Sequence, residues 1–427
     1  MKWLNQLKKV QGDNQVWNEN RQESWDRFME VGFPTIKDEE WKYTNLKKIL
    51  NEEYSLCQAK GGEIEKSALN GQQLNLEGSI KLYFVDGTFN KNMSDTIPEG
   101  LNISTLQNME LEQPSLVKEY FNRALPKDEP LTAMNTALYQ DGLAVVLDKN
   151  QVVEPIVELY FVYSSEEGSR FAAPRNLFIL GENASMVVVE RICSLENTKV
   201  FTNMVSEAFL KDGAHLKLFK IQNDHDQSIV IDNTWIEQEG NSYAQTDTFS
   251  FNGGFIRNNL NFKFNGSNSE AHMRAVTIAD TDNLIDHHTF VDHAMPHCYS
   301  NQMYKGIYDS ACKGVFNGKI IVRPDAQKTN AFQQNNNLLL SEFAQLDTKP
   351  QLEIFADDVK CSHGCTVGQL DKDALFYMRS RGIAEKEAKA LLTYAFANES
   401  LANIQIEELK GKIKSMIADK LNVDIEL

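Results

Sequence analysis

The spacing of apolar residues changes twice along this chain. Up to Cys57 it is helical: Trp25, Phe28 and Met29 recur at i, i+3 and i+4 among charged neighbours, which predicts a helix with one apolar stripe. The GFPT run at Gly32–Thr35 predicts its end, and Trp41, Leu46 and Ile49 predict a second short helix. From Lys60 to Glu77 the chain turns polar and glycine-containing, as a loop or linker would. In the middle the period drops to two. GENASMVVVERI from Gly181, DGAHLKLFKI from Asp212, EGNSYAQTDTF from Glu239 and NGSNSEAHMRAV from Asn265 each run turn, small residue, then alternation. The glycines at 181, 213, 240 and 266 recur at near-regular intervals. Stacked β-turns in a solenoid produce such a period, since no rung can bury its face alone. A β-sandwich also gives short strands at this spacing. The Asn335–Asn337 run suits stacked side-chain amides or a turn.

After Gly368 the helical period returns. Asp371 is placed as an N-cap, and Arg379 and Arg381 precede Gly382, where cations suit the helix dipole. Ala388, Leu391, Leu392, Ala395 and Phe396 form one helical face, and Leu409, Ile413, Met416 and Ile417 another. These stripes read first as mutual core and second as a docking surface. The expected organisation is a helical region over 1–77, a mixed connecting region over 78–149, a parallel β-helix over 150–368 and a helical region over 369–427.

Composition narrows the function. The 427 residues exceed the usual single-domain size, and 43 basic against 60 acidic residues give a net charge of −17. Without a basic patch, neither nucleic acid nor an anionic membrane is an expected partner. The first residues carry no apolar leader, and no apolar run approaches a membrane span, so the cytoplasm is the expected location. Six scattered cysteines with no C-x-x-C pair argue against both a disulfide framework and an autonomous structural zinc site. There is no Walker A, G-x-G-x-x-G or G-x-S-x-G motif, so nucleotide hydrolysis is expected on another chain.

Two groups of ligand-type residues remain. His287, His288, Asp292, His293, His297 and Cys298 lie close in sequence, with His287 and His293 on one strand face. The i, i+4 pair His293 and His297 has helical zinc spacing, but Pro296 and the β-rich surroundings oppose a helix. Histidines hydrogen-bonded between rungs are the plainer reading, with metal binding as the alternative. The second group is Cys361 and His363, which share a strand face with Val359. Thiolate and imidazole suit zinc or iron, but two ligands make half a tetrahedral site, so a partner is expected to complete it.

The run from Pro350 to Ile383, with CSHG-x-TVGQL and DALFY-x-RSRGI, resembles the SufD branch of the SufB/SufD family of iron–sulfur cluster assembly scaffolds. Similar stretches span nearly the whole chain: DEEWKYTNL at Asp38–Leu46, NTALYQDG at Asn135–Gly142, EPIVELYF at Glu154–Phe161, HHTFVDHAMPHCYSNQMYKGI at His287–Ile307 and AFQQNNNLLLS at Ala331–Ser341. The resemblance implies a right-handed parallel β-helix between helical ends. It also implies a non-catalytic scaffold in a SufBCD-type complex. A SufB-like homologue would pair with the chain as a heterodimer, and a SufC-like ABC-type ATPase would dock on the C-terminal helices. A homodimer is the expectation for the chain alone. Cys361 and His363 would lie near the SufB-like contact and take part in cluster formation. Cys365 stands where most relatives are expected to carry alanine. No permanently bound cofactor is expected; a transient cluster or iron is cargo at the interface, and the sequence decides nothing about a flavin. Competing readings are an autonomous metal-binding β-helix protein and a β-helix carbohydrate-active enzyme, the latter needing a cleft with paired carboxylates.

Overall fold

From Ser185 onward the chain winds between two sheets, one strand in each per coil. The computed structural model describes residues 2–14, 18–58, 64, 66–69, 71–164, 168–195 and 198–423. Sheet I stacks Ser185–Ser194, His215–Asn223, Tyr243–Asn252, Glu270–Ala279, Tyr299–Tyr308, Asn330–Leu339 and Lys360–Gly368. Sheet II stacks Val200–Leu210, Ile229–Gln238, Phe255–Phe264, Leu284–His293, Lys313–Val322 and Gln345–Ile354. Every contact between successive coils is parallel. The protein is thus mainly β, with a parallel β-helix at its centre and helices at both ends. Parallel pairing already begins with Ile80–Val85 against Val157–Tyr163 and Leu143–Leu147 against Arg175–Leu180.

The turn signals in the sequence are one edge of this solenoid. Asn150, Asn183, Gly213, Asn241, Asn268, His297 and Lys328 occupy successive corners, all with φ between +56° and +68°. Asparagine and glycine tolerate that left-handed region best. From Asn183 to Lys328 each of these N–H groups donates to a carbonyl of the next coil, as in His297 N to Gln327 O at 2.9 Å. One residue further on, Ala184, Ala214, Ser242, Ser269, Cys298 and Thr329 form a column of small, fully buried side chains. Between the sheets lies an apolar core built from the inward phase of the alternation, including Leu216, Leu218, Phe262, Phe264, Val291 and Phe316.

Helices cover the two outer faces. The N-terminal helices Lys2–Asn14 and Glu19–Val31 bring Trp3, Leu7, Trp25 and Phe28 onto Phe171, Phe201 and Ile231 outside sheet II. Glu19–Val31 is capped by the Asn18 side chain and ends at Gly32 with φ +75°. The second helix expected through Trp41 to Ile49 is instead two short turns, Glu39–Trp41 and Lys47–Leu50. The break serves packing: the Thr44 hydroxyl donates 2.5 Å to buried Asp286 on sheet II. Of the polar stretch before Glu77, Lys66–Leu69 forms a short turn, and Leu74 and Leu76 are buried against sheet I.

At the C-terminus, helix Glu407–Leu421 lays Leu409, Ile413 and Ile417 on Phe219, Phe249, Val276 and Ile307 outside sheet I. Its stripe is therefore core against the sheet rather than between helices. Lys305 ties this cover down through the Phe396 carbonyl (3.1 Å) and Glu399, and Lys420 reaches Asp280 at 2.6 Å. Helix Glu385–Asn398 buries Ala388, Thr393 and Ala397, leaving Leu391 and Leu392 half-buried. Helix Lys372–Ser380 buries no residue. Asp371 caps it by accepting from Asp373 N and Ala374 N.

Candidate functional site

The two ends of the solenoid differ. At the first coil, antiparallel strands Thr88–Phe89 and Ile103–Thr105 close both sheets. At the last coil, among the described residues, Gln345–Ile354 and Lys360–Gly368 each have a neighbouring strand on one side only. Every residue of both strands is exposed or half-buried. Lys360 N donates to Thr329 O at 2.8 Å, so by alternation the backbone groups of Cys361, His363, Cys365 and Val367 face the free edge. Seven large apolar side chains crowd this end in the open: Leu340, Phe343, Ile354, Phe355, Val367, Phe376 and Tyr377. Unpaired strand edges and exposed apolar patches are the features through which chains associate in general, and this end carries both.

Cys361, His363 and Cys365 sit on the inward phase of the terminal strand. They continue the columns of Ala331, Gln333 and Asn335 in the coil before. Cys361 is half-buried against the core, and burial pushes its thiol up, opposed by a hydrogen bond from the Ala331 backbone. Cys365 is exposed, with Sγ 3.0 Å from Thr348 Oγ1 of the facing sheet and 3.6 Å from Asn335 Oδ1. His363 is exposed. Positions i and i+4 of one extended strand are about 13 Å apart, so Cys361 and Cys365 of one chain cannot share a single metal ion.

The histidines between Asp286 and Cys298 are dispersed. His287 points inward, its Nε2 2.9 Å from Thr277 Oγ1 and its Nδ1 3.3 Å from Asn258 Nδ2. Burial lowers its pKa to about 4. His293 points inward against Ser300 Oγ at 2.8 Å, and burial takes it to about 3. His288 points outward, where its Nε2 lies 3.0 Å from Asp286 Oδ1. Asp286 also accepts from Arg257 at 2.8 Å and from Thr44, and His288 and Arg257 hold its carboxyl far below the usual range despite burial. The Arg257 guanidinium stacks 3.7 Å over Trp41. This network clamps the DEEWKYTNL segment onto sheet II. His297 is a corner residue, and Cys298 fills the small-residue column with Sγ toward Gly266 O at 3.4 Å. Among the described residues no three His, Cys, Asp or Glu side chains gather as a metal site.

Polar groups inside the solenoid escaped the sequence reading. Lys220 lies between the sheets with Asp232 at 2.6 Å, Thr234 at 2.8 Å and Glu190 at 3.4 Å. Burial pushes Glu190 up to about 7 against the pull of Lys220. A signal was present, because Lys220 falls on the inward phase of Leu216 and Leu218. Nearer the open end the interior stays polar: Gln333 donates 2.9 Å to Gln302, and Asn337 donates to Asn335 at 2.8 Å and to Thr366 O at 3.2 Å. The asparagine run is thus strand, with the amides of Asn335 and Asn337 bonded inside the coil and Asn336 on the outward phase, accepting from Thr366 Oγ1 at 3.0 Å. The apolar rim was missed because Phe343, Phe355 and Phe376 belong to no periodic stripe.

Comparison with known proteins bears on this architecture. Residues 161–396 match the family described as SUF system FeS cluster assembly, SufBD core domain, and residues 5–159 match the SufBD protein N-terminal region. The iron–sulfur cluster assembly protein SufD of Escherichia coli (strain K12) is 30% identical over 94% of this chain and 92% of its own length. A SufBD family protein of Synechocystis is 29% identical over 93% and 90%. A chloroplastic protein of Arabidopsis thaliana is 26% identical over 93% and 84%. Among the described residues no helix is long and apolar enough to cross a membrane. The matches run through both solenoid and flanking helices, and the chain therefore belongs to the SufBD family of iron–sulfur cluster assembly proteins.

Proposed function

We propose that the chain is a scaffold subunit that pairs its open solenoid end with a homologous SufB-like chain, and that iron and sulfide meet at the junction. The observation that carries this reading is the last coil. Two free strand edges, an apolar rim, and a thiol and an imidazole on the inward face occupy one place. Pairing edge to edge satisfies the outward backbone groups of Cys361, His363, Cys365 and Val367 and covers the rim. The partner supplies the ligands that Cys361 and His363 lack, and the cluster or iron is cargo rather than a resident cofactor.

Burial keeps Cys361 a thiol in the free chain, and metal capture there releases a proton. The arm formed by Lys372–Ser380 and the start of Glu385–Asn398 receives an ABC-type ATPase. In support, the first of these helices has no buried residue, and it exposes Phe376 at 74% and Tyr377 at 59%. It also begins directly after the strand bearing Cys361 and His363, so movement of the arm reaches the junction. Hydrolysis belongs to the ATPase, and this chain is non-catalytic.

The test is His363→Ala in the assembled complex. Partner binding is expected to persist while iron–sulfur cluster assembly is lost. Normal assembly with partner bound would remove His363 from the site.

A further inference from the structure

The polar column beneath the last coil ends on an amide whose oxygen is unpartnered. Gln302, Gln333 and His363 occupy the same inward position in three successive strands of sheet I. Gln333 is 1% exposed. Its Nε2 donates to Gln302 Oε1 in the coil before at 2.9 Å, and that oxygen also accepts from Thr289 Oγ1 at 2.8 Å. Gln333 Oε1 is buried and has no hydrogen-bond partner. The two ends of a planar carboxamide point apart. With Nε2 turned back to Gln302, Oε1 is left on the side of the coil ahead, where His363 is the next residue of the column. Gly318 of sheet II leaves the amide its place, since a Cβ there would collide with Nε2. A buried carbonyl oxygen left without a donor is costly, and a site beside it is one reason to keep it.

We propose that Gln333 is a positioning residue for His363: its Oε1 accepts the N–H of one imidazole nitrogen and so presents the lone pair of the other to iron at the junction. This rests on the reading that His363 is a ligand there. A neutral imidazole has one N–H and one lone pair, and the hydrogen bond made by the first decides which nitrogen keeps the second. Neighbouring strands lie about 4.8 Å apart, within reach of a glutamine below and an imidazole above. In the single chain His363 is exposed. Covering the edge confines the ring over the column, and the amide then fixes its rotation and its tautomer before iron arrives. Cys361, by contrast, stands over Ala331, which has no polar side chain. Of the two proposed ligands, only the imidazole has an amide beneath it.

The test uses this chain assembled anaerobically with its SufB-like homologue and the ABC-type ATPase, with ferrous iron as the probe. Gln333→Met keeps the volume and removes the acceptor. It is expected to leave partner binding unchanged and to lower Fe(II) affinity about tenfold or more, the usual cost of removing a group that orients a metal ligand. Gln333→Glu keeps an acceptor, and Gln302 Nε2, itself unpartnered, can turn to donate to it. This variant is expected to retain most of the affinity. Gly318→Ala, whose methyl displaces the amide, is expected to reproduce the loss with Gln333 in place. In a His363→Ala background, Gln333→Met is expected to cost nothing further, because the two act through one bond. Equal losses with and without His363 would make Gln333 a packing residue and overturn the proposal. Normal iron affinity in both Gln333→Met and Gly318→Ala, with His363→Ala defective, would also overturn it while leaving His363 in the site. Normal affinity in His363→Ala itself would overturn the proposal together with the reading it rests on.

Discussion

A lysine at Val367 is the sharpest perturbation of the pairing edge. The side chain stands on the inward face of the last strand, 48% exposed, with nothing beyond it in the single chain. Covering the exposed half of a valine is worth roughly 1 kcal/mol. An ammonium left in the same junction, reaching partway to the rim, costs about 2 kcal/mol more in lost hydration. Together these weaken assembly by about 3 kcal/mol, roughly a hundredfold in Kd. The free chain feels little, because the position is open: its unfolding free energy is expected to move by less than about 0.5 kcal/mol. Sedimentation equilibrium over a concentration series reads the first quantity and urea unfolding the second. Leu111→Lys, at a side chain 81% exposed and remote from the last coil, serves as the control and leaves both unchanged. An unchanged Kd for Val367→Lys would refute the assignment of the edge, and so would an equal effect from Leu111→Lys.

Asp286→Ala is expected to destabilise the chain by about 3–5 kcal/mol in urea unfolding, since it strands the buried Arg257 guanidinium beneath Trp41. His287 and His293, with pKa values of about 4 and about 3, bind protons more weakly folded than unfolded. Their contribution is complete above pH 6.5 and falls as pH drops from there toward those values, by roughly 2.5 kcal/mol each at pH 4.5. Replacing both with glutamine should flatten the acid limb of a stability–pH profile, and an unchanged limb would contradict the assignment. Cys298→Ser should cost less than about 1 kcal/mol, because Ser242 and Ser269 hold the same column, whereas Cys298→Leu overpacks it by about 1–3 kcal/mol. Thermal unfolding of the pair separates a packing role from a ligand role.

The solenoid was legible where its corners carry left-handed residues, since Gly213, Asn241 and Asn268 mark the start of sheet I strands. Sheet II strands lack so regular a signature, and only the structure shows them filling alternate positions. The clustering of His287 to Cys298 in sequence is not a cluster in space, and the plainer reading of hydrogen-bonded solenoid histidines describes His287 and His293. Alternation sends His287 inward and His288 outward, and a corner separates His293 from His297. Cys361 and His363 were legible as a pair because a strand places i and i+2 together. Their place on the last, uncovered coil was not legible, because an edge is defined by the absence of a neighbouring strand, and no residue within the strand encodes that. The resemblance of DEEWKYTNL and NTALYQDG to family stretches carried no mechanism until the fold placed them. Trp41, Thr44 and Asn135 hold helical segments to sheet II, with Asn135 donating to Pro174 O at 2.9 Å and Asn203 O at 2.7 Å.

The most direct measurement is amide hydrogen exchange of the Lys360–Gly368 segment, in the chain alone and in the anaerobically purified complex with its homologue. The account predicts fast exchange in the free chain at the outward amides of Cys361, His363, Cys365 and Val367. On pairing, these same amides should gain strong protection as the edge acquires a neighbouring strand. Protection confined to other surfaces, with these amides still exchanging freely in the complex, would contradict it.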